Sequence, residues 1–164
     1  MAKDSWAAGA AAENVPAGEL QSANANAALT GRSVFPRVPF TRLLGVTREF
    51  AEGGRARMSV DIHEDLTNLH DAAHGGVILT LIDVAMASAA MSKVDFTKSL
   101  VTLDLSTQFV GPGRGRLIAE GRVVGGGSSV CFCEATVTTA DGHLVARGMG
   151  SFKYVRPLNA LFAS

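Results

Sequence analysis

His70-Asp71-Ala72-Ala73-His74-Gly75-Gly76-Val77-Ile78-Leu79-Thr80-Leu81-Ile82-Asp83-Val84-Ala85-Met86-Ala87-Ser88-Ala89-Ala90 is the stretch whose reading decides the fold. Over residues 77–91 nearly every position is apolar or small, too uniformly for a helix with a wet side. The run therefore reads as a helix buried over most of its circumference. Asp83 interrupts it. Its helical neighbours three and four positions away include Leu79, Thr80, Met86 and Ala87, and a carboxylate among them is costly unless it is paired or used.

Before the helix, Phe35-Pro36-Arg37-Val38-Pro39 punctuates the chain, Pro39 suits the first turn of a short helix over 40–44, and Gly45 ends it. Residues 46–50 read as a strand, Glu52-Gly53-Gly54 as a hairpin turn and 55–62 as the returning strand, with a loop over 63–73 leading to the long helix. After it, Asp95-Phe96-Thr97-Lys98 is a polar loop. Val101, Leu103, Leu105, Thr107 and Phe109 then alternate with polar residues until Gly111-Pro112-Gly113 stops the strand. Leu117, Ala119, Gly121 and Val123 mark the next strand, Gly125-Gly126-Gly127 turns the chain, and strands over 130–139 and 144–154 are joined at Ala140-Asp141-Gly142. Hairpin-length connections imply antiparallel pairing. The expected fold class is α+β: one long central helix wrapped by a curved antiparallel sheet of about six strands.

The 164 residues suit one domain, expected over 34–157, with a 1–33 N-terminal extension that is mobile or loosely structured and a 158–164 tail. Trp6 is the one residue of that extension able to dock on a partner or on the domain. Fifteen basic and fifteen acidic residues give no net charge, hence no global field for nucleic acid or an anionic membrane, and favour self-association. The apolar run falls short of the roughly 20 residues of a bilayer span, and the first residues form no signal peptide. No membrane partner is expected, and the cytoplasm is the default location. Cys131 and Cys133, two apart on one strand face, are expected as packed thiols rather than a disulfide.

Several motifs fail. The glycine clusters carry no Gly-Lys-Ser/Thr, no G-x-S-x-G is present, and His70 and His74 straddle a loop-to-helix junction without H-E-x-x-H, so no metal is expected. The helix entrance is more informative. Its first N–H groups lack intrahelical partners, and Gly75 and Gly76 let a ligand approach them, so they suit an oxygen that becomes negative during attack on a thioester or other acyl carbon. The competing reading is that these glycines serve only tight helix–sheet packing. Asp83 lies nine residues beyond His74, about 13 Å along the axis and on the opposite face. One helix cannot bring both to one atom. If both serve one reaction, two copies must share the site, which makes a homodimer the expected assembly.

His74-Gly75-Gly76 with Leu81-Ile82-Asp83, followed by Val101-Thr102-Leu103-Asp104-Leu105 through Phe109 and Gly111-Pro112, resembles the hotdog-fold acyl-CoA thioesterases of the phenylacetic-acid-degradation (PaaI-like) type over about residues 38–155. The resemblance implies hydrolysis of an acyl-CoA thioester to a carboxylic acid and free coenzyme A, with no cofactor beyond the coenzyme A of the substrate. It implies dimers that often pair into homotetramers through their sheets. Asp83 matches the family's catalytic carboxylate, general base or nucleophile. Gly75 matches the glycine whose amide polarises the carbonyl, with Gly76 beside it, His74 the adjacent histidine, Asn68 the asparagine that helps hold water, and Thr102 a Ser/Thr near the carboxylate. Plain alternation puts Thr102 on the wrong face, and only a bulge would turn it inward. The family's basic residue near the hairpin is missing at Gly125-Gly126-Gly127-Ser128-Ser129, so Arg114, Arg116, Arg147 and Lys153 are the candidates to meet the coenzyme A phosphates. Phe96, Met86 and Met91 are candidates to set pocket depth. A hotdog dehydratase or hydratase and a non-catalytic acyl-CoA sensor are the alternative readings.

Overall fold

The computed structural model describes residues 35–156; the expectations for the N-terminal extension, including Trp6, and for the C-terminal tail lie outside the described residues. A short helix α1 (Pro39–Leu43) begins at a proline and stops before Gly45, whose φ of 70° is one that a side chain disfavours. It is followed by β1 (Thr47–Glu52), β2 (Arg55–Asp61), the long helix α2 (Gly75–Lys93), and β3 (Ser99–Phe109), β4 (Arg116–Gly126), β5 (Val130–Thr139) and β6 (Leu144–Val155). These elements match the sequence reading to within one or two residues at most ends. The exception is β4, which runs on through Gly125 and Gly126, so that only Gly127 of the expected glycine turn lies outside the strand. The 63–73 loop also contains a 3-10 turn (Glu64–Leu66) and an isolated bridge between Thr67 and Ala73.

The six strands form one antiparallel sheet in the order β1-β2-β4-β5-β6-β3. Its inner face carries Met58, Val60, Leu117, Ala119, Cys133, Val137, Val145 and Phe152, all essentially inaccessible, against Leu81, Ile82, Ala85 and Met86 of α2. Each large side chain buried this way contributes roughly 1.5–3 kcal/mol. Helix and sheet meet most tightly at Gly121, where a Cβ would lie 2.5 Å from the carbonyl carbon and oxygen of Ala85. Two hydrogen bonds fix the far end of α2: the Gly54 N–H donates to Ser92 Oγ (3.0 Å) and Tyr154 Oη donates to the Ala90 carbonyl (2.9 Å). By length and composition α2 would pass as a membrane span, more readily than its apolar run alone indicated, yet the sheet covers more than half of it. The two cysteines are free and buried, and burial together with Cys131 pushes the Cys133 thiol up, so it stays protonated.

One strand departs from its pattern. Pairing of β3 with β6 shifts between Thr102 and Asp104: Thr102 faces Phe152, Asp104 faces Ser151, and Leu103 is the extra residue of a β-bulge. Leu105, Thr107 and Phe109 face inward as the alternation predicts. Val101 and Leu103 do not; they stand about half exposed on the outer face, and Thr102 turns inward in their place.

Candidate active site

Asp83 lies midway along α2 on the flank facing β3. Thr102 Oγ1 donates to its Oδ1 at 2.9 Å, an interaction that exists because the bulge puts the hydroxyl on the inner face. Burial pushes the Asp83 carboxyl above the ordinary carboxylate range, and the Thr102 hydrogen bond opposes that rise without cancelling it. Such a carboxylate is a stronger base than an exposed one while remaining able to ionise. It opens into a cleft of about 460 Å³ whose walls are Val38 and Phe40 at the start of α1, Leu79 and Val84 of α2, and Leu105 of β3.

The helix entrance is a separate place. His74 is the N-cap of α2: its Nδ1 accepts the Gly76 N–H at 3.0 Å, which commits one of the entrance amides to the protein. The Gly75 N–H, by contrast, meets no acceptor among the described residues. The Gly75 backbone lies against the ring of Phe109, whose nearest atom would be 3.5 Å from an added Cβ. Asn68 organises the approach: its Oδ1 accepts the His70 N–H at 2.8 Å, its backbone N–H donates to the Ala72 carbonyl, and Asp71 takes a φ of 53° where a glycine would be easier. Thr67, Asn68, Leu69, His70 and His74 line a second concavity of about 600 Å³. The structure thus brings Asp83 and Thr102 together, and Asn68, His74, Gly75 and Gly76 together, in two different clefts of one chain.

The four basic candidates are scattered. Arg114 belongs to the helix entrance, donating from Nε to the Asp71 carbonyl (3.0 Å) and from Nη2 to the His70 carbonyl (2.8 Å). Arg116, two residues on at the start of β4, is engaged by Glu49 of β1 and by Asp61 and Ser59 of β2. Arg147 and Lys153 stand exposed on the outer face of β6, away from α2. At the hairpin that lacks its own basic residue, Lys98 arrives from the loop after α2, its Nζ donating to the Ser128 carbonyl at 3.0 Å, a contact that no local spacing signals. Nor do the candidate pocket residues line the Asp83 cleft: Met86 is fully buried in the core and Phe96 is buried beneath Arg48. The walls come instead from α1 and its lead-in, which the sequence marked only as a punctuated start.

A curved sheet around one helix is the hotdog arrangement, and here it carries a half-buried carboxylate on its open flank and, at the helix start, one backbone donor uncommitted among the described residues, the Gly75 N–H. Known proteins share this fold. Residues 70–146 match the thioesterase superfamily. A presumed esterase of Halobacterium salinarum is 38% identical over 124 residues, 69% of this chain and 82% of the relative. Among solved structures, a variant of the phenylacetic acid degradation protein PaaI of Thermus thermophilus superposes with a TM-score of 0.65 at 27% identity, over 71% of this chain and 99% of that one. The PaaI protein of the Escherichia coli phenylacetic acid degradation operon gives 0.72 at 20% identity, over 78% and 92% respectively, a likeness of fold. The chain belongs to the thioesterase superfamily, and thioester hydrolysis is the class of activity that membership carries.

Proposed function

We propose that this chain is an acyl-CoA thioesterase acting as a homodimer with two shared active sites. The observation that carries the reading is the layout of β3. Thr102 holds Asp83, Phe109 lies against Gly75, and the two positions are seven residues apart (109 − 102), about 20 Å along the strand. β3 is also a long edge strand of the sheet, the kind of edge that pairs with a second copy. Antiparallel pairing of two such edges about the midpoint between Leu105 and Ser106 would set Thr102 opposite the second subunit's Phe109. Asp83 would then meet the Gly75 amide across the interface.

In such a site the substrate carbonyl oxygen accepts the Gly75 N–H, aided by the positive end of the α2 dipole. Asp83 either takes a proton from water as it attacks the carbonyl carbon, or attacks that carbon itself to form an anhydride that water then opens. In both routes the C–S bond breaks, the electron pair leaves on sulfur, and a proton returns to give free coenzyme A. Asn68 and His74 border the carbonyl from the entrance side. Arg114, beside them, is the basic candidate best placed for coenzyme A; Arg116, Arg147 and Lys153 need another subunit to approach it. The exposed Val101, Leu103, Phe132 and Met149 on the sheet's outer face support further pairing of dimers into tetramers.

The test mixes two inactive variants. Gly75→Pro, which removes the amide hydrogen, and Asp83→Asn should each abolish most hydrolysis of an acyl-CoA panel. After verified subunit exchange, mixed dimers should regain a quarter to a half of wild-type turnover, because one of their two sites is intact. No recovery would overturn the shared site. Label found in Asp83 after a single turnover in ¹⁸O-water would establish the anhydride route, with water opening the anhydride at the Asp83 carboxyl carbon.

A further inference from the structure

We propose that the cleft beside Asp83 is the acyl pocket, and that Phe40 and Leu79 select unsubstituted apolar acyl groups, aliphatic or aryl, over acyl groups bearing hydroxyl or carboxylate. This deepens the acyl-CoA reading and rests on it. The acyl carbon must reach Asp83, whose carboxylate stands at the cleft wall, so whichever arm of the thioester enters has only about 460 Å³. The coenzyme A arm is too long and too charged for walls built of Val38, Phe40, Leu79, Val84 and Leu105.

The hydroxyls of that wall are already committed. Thr41 Oγ1 donates to the Val38 carbonyl (3.1 Å), Thr80 Oγ1 to the Gly76 carbonyl (2.8 Å) and Thr102 Oγ1 to Asp83. An acyl hydroxyl entering here would exchange water for at most a spare lone pair of a threonine oxygen or of Asp83 and find no free side-chain donor, and an acyl carboxylate, which needs donors, would in addition be repelled by Asp83. Phe40 and Leu79 are the large apolar walls left 54% and 39% exposed, the area an acyl group would cover. Phe40 stands on a five-residue helix outside the sheet, so truncating it leaves the core untouched. In the shared dimer, the fully exposed Leu69 of the entrance loop would approach the open side of the same cleft.

The experiment uses the purified full chain with two readouts: kcat/KM over acetyl-, hexanoyl-, octanoyl-, benzoyl-, 3-hydroxyoctanoyl- and ω-carboxyoctanoyl-CoA, and calorimetric binding of the non-hydrolysable thioether S-octyl-CoA. Octanoyl-CoA should be preferred to its hydroxylated and carboxylated counterparts by about 10-fold or more. Phe40→Ala should lower the octanoyl-to-acetyl ratio about tenfold and weaken S-octyl-CoA similarly. Leu79→Phe should move the optimum to shorter acyl groups, the opposite use of the same space. Unchanged acyl profiles in both variants, with the wild type active, would overturn the pocket and leave the thioesterase reading standing. A wild type that binds S-octyl-CoA through Phe40 yet hydrolyses nothing would uphold the pocket and overturn the enzyme. Neither binding nor hydrolysis would overturn both.

Discussion

The two flanks of α2 are built from the same apolar run and do opposite things. On the flank facing β2 and β4, the helix backbone comes so close that β4 admits only a glycine at Gly121, and Met58, Leu117 and Ala119 are wholly buried. On the flank facing β3 the helix stands off, leaving a cleft, a carboxylate that burial disfavours in its ionised form, and a strand with an extra residue. One flank anchors the fold while the other carries a charge the fold alone would not select. The comparison teaches that the candidate catalytic carboxylate sits on the side where packing was left incomplete.

The comparison breaks hardest at its closed side. Gly121→Ala puts a methyl group into the Ala85 carbonyl and should cost about 3 kcal/mol or more, read as the loss of cooperative unfolding or a large drop in the urea midpoint. On the open side, Asp83→Asn should lower kcat/KM by about 10²–10⁴-fold while the variant melts higher than wild type at neutral pH. The sign follows from linkage. The folded Asp83 carboxyl is raised, so folding favours its protonated form; that stability is present below the unfolded carboxyl's range and is lost as pH rises through the folded one. Asparagine keeps it at neutral pH, and the advantage should vanish below about pH 4. An Asp83→Asn variant that melts lower at pH 7 would remove the contrast between the flanks.

Thr102→Val sharpens it. Without the hydroxyl that stabilises the carboxylate, the acid limb of the pH–rate profile should move upward, so that activity falls on that limb with little change at the alkaline plateau. The smallest expected effect is Arg114→Met, which frees the His70 and Asp71 carbonyls. Loosening the entrance loop should raise KM a few-fold and cost about 1 kcal/mol or less in stability.

The closed flank was largely legible in the sequence, and the open flank only in part. Paired glycines and Ala140-Asp141-Gly142 mark hairpins because positive φ values demand such residues, and Asp83 announces itself by contradicting its surroundings. Helical spacing alone separates it from Gly75. Thr102 is reached only through the family resemblance, because a bulge at Leu103 needs no glycine and leaves no turn signal, so alternation assigns Val101 and Leu103 to the wrong face. Phe40 was hidden because a five-residue helix has too little periodicity to reveal a face, and its contact with α2 is purely tertiary. Met86 and Phe96 are buried within the single chain, a placement that residue type alone does not signal.

The extra residue at Leu103 also bears on how the chain finds its register. A strand of plain alternation can slide two positions along its neighbour and still present the correct side chains inward, so such slips are cheap to form and slow to correct. β3 cannot do this against β6. Above the bulge its inward positions are even-numbered and below it odd-numbered, and the odd-numbered ones fit over Gly150 and Gly148, where a Cβ would lie within 2.7 Å of Asp104 O and Ile82 Cγ2 respectively. A slip of two would set Leu105 against Phe152, or Thr107 against Ala146, in place of a glycine. The close fit over Gly150 and Gly148, rather than alternation alone, therefore keys this edge strand to a single seat during folding.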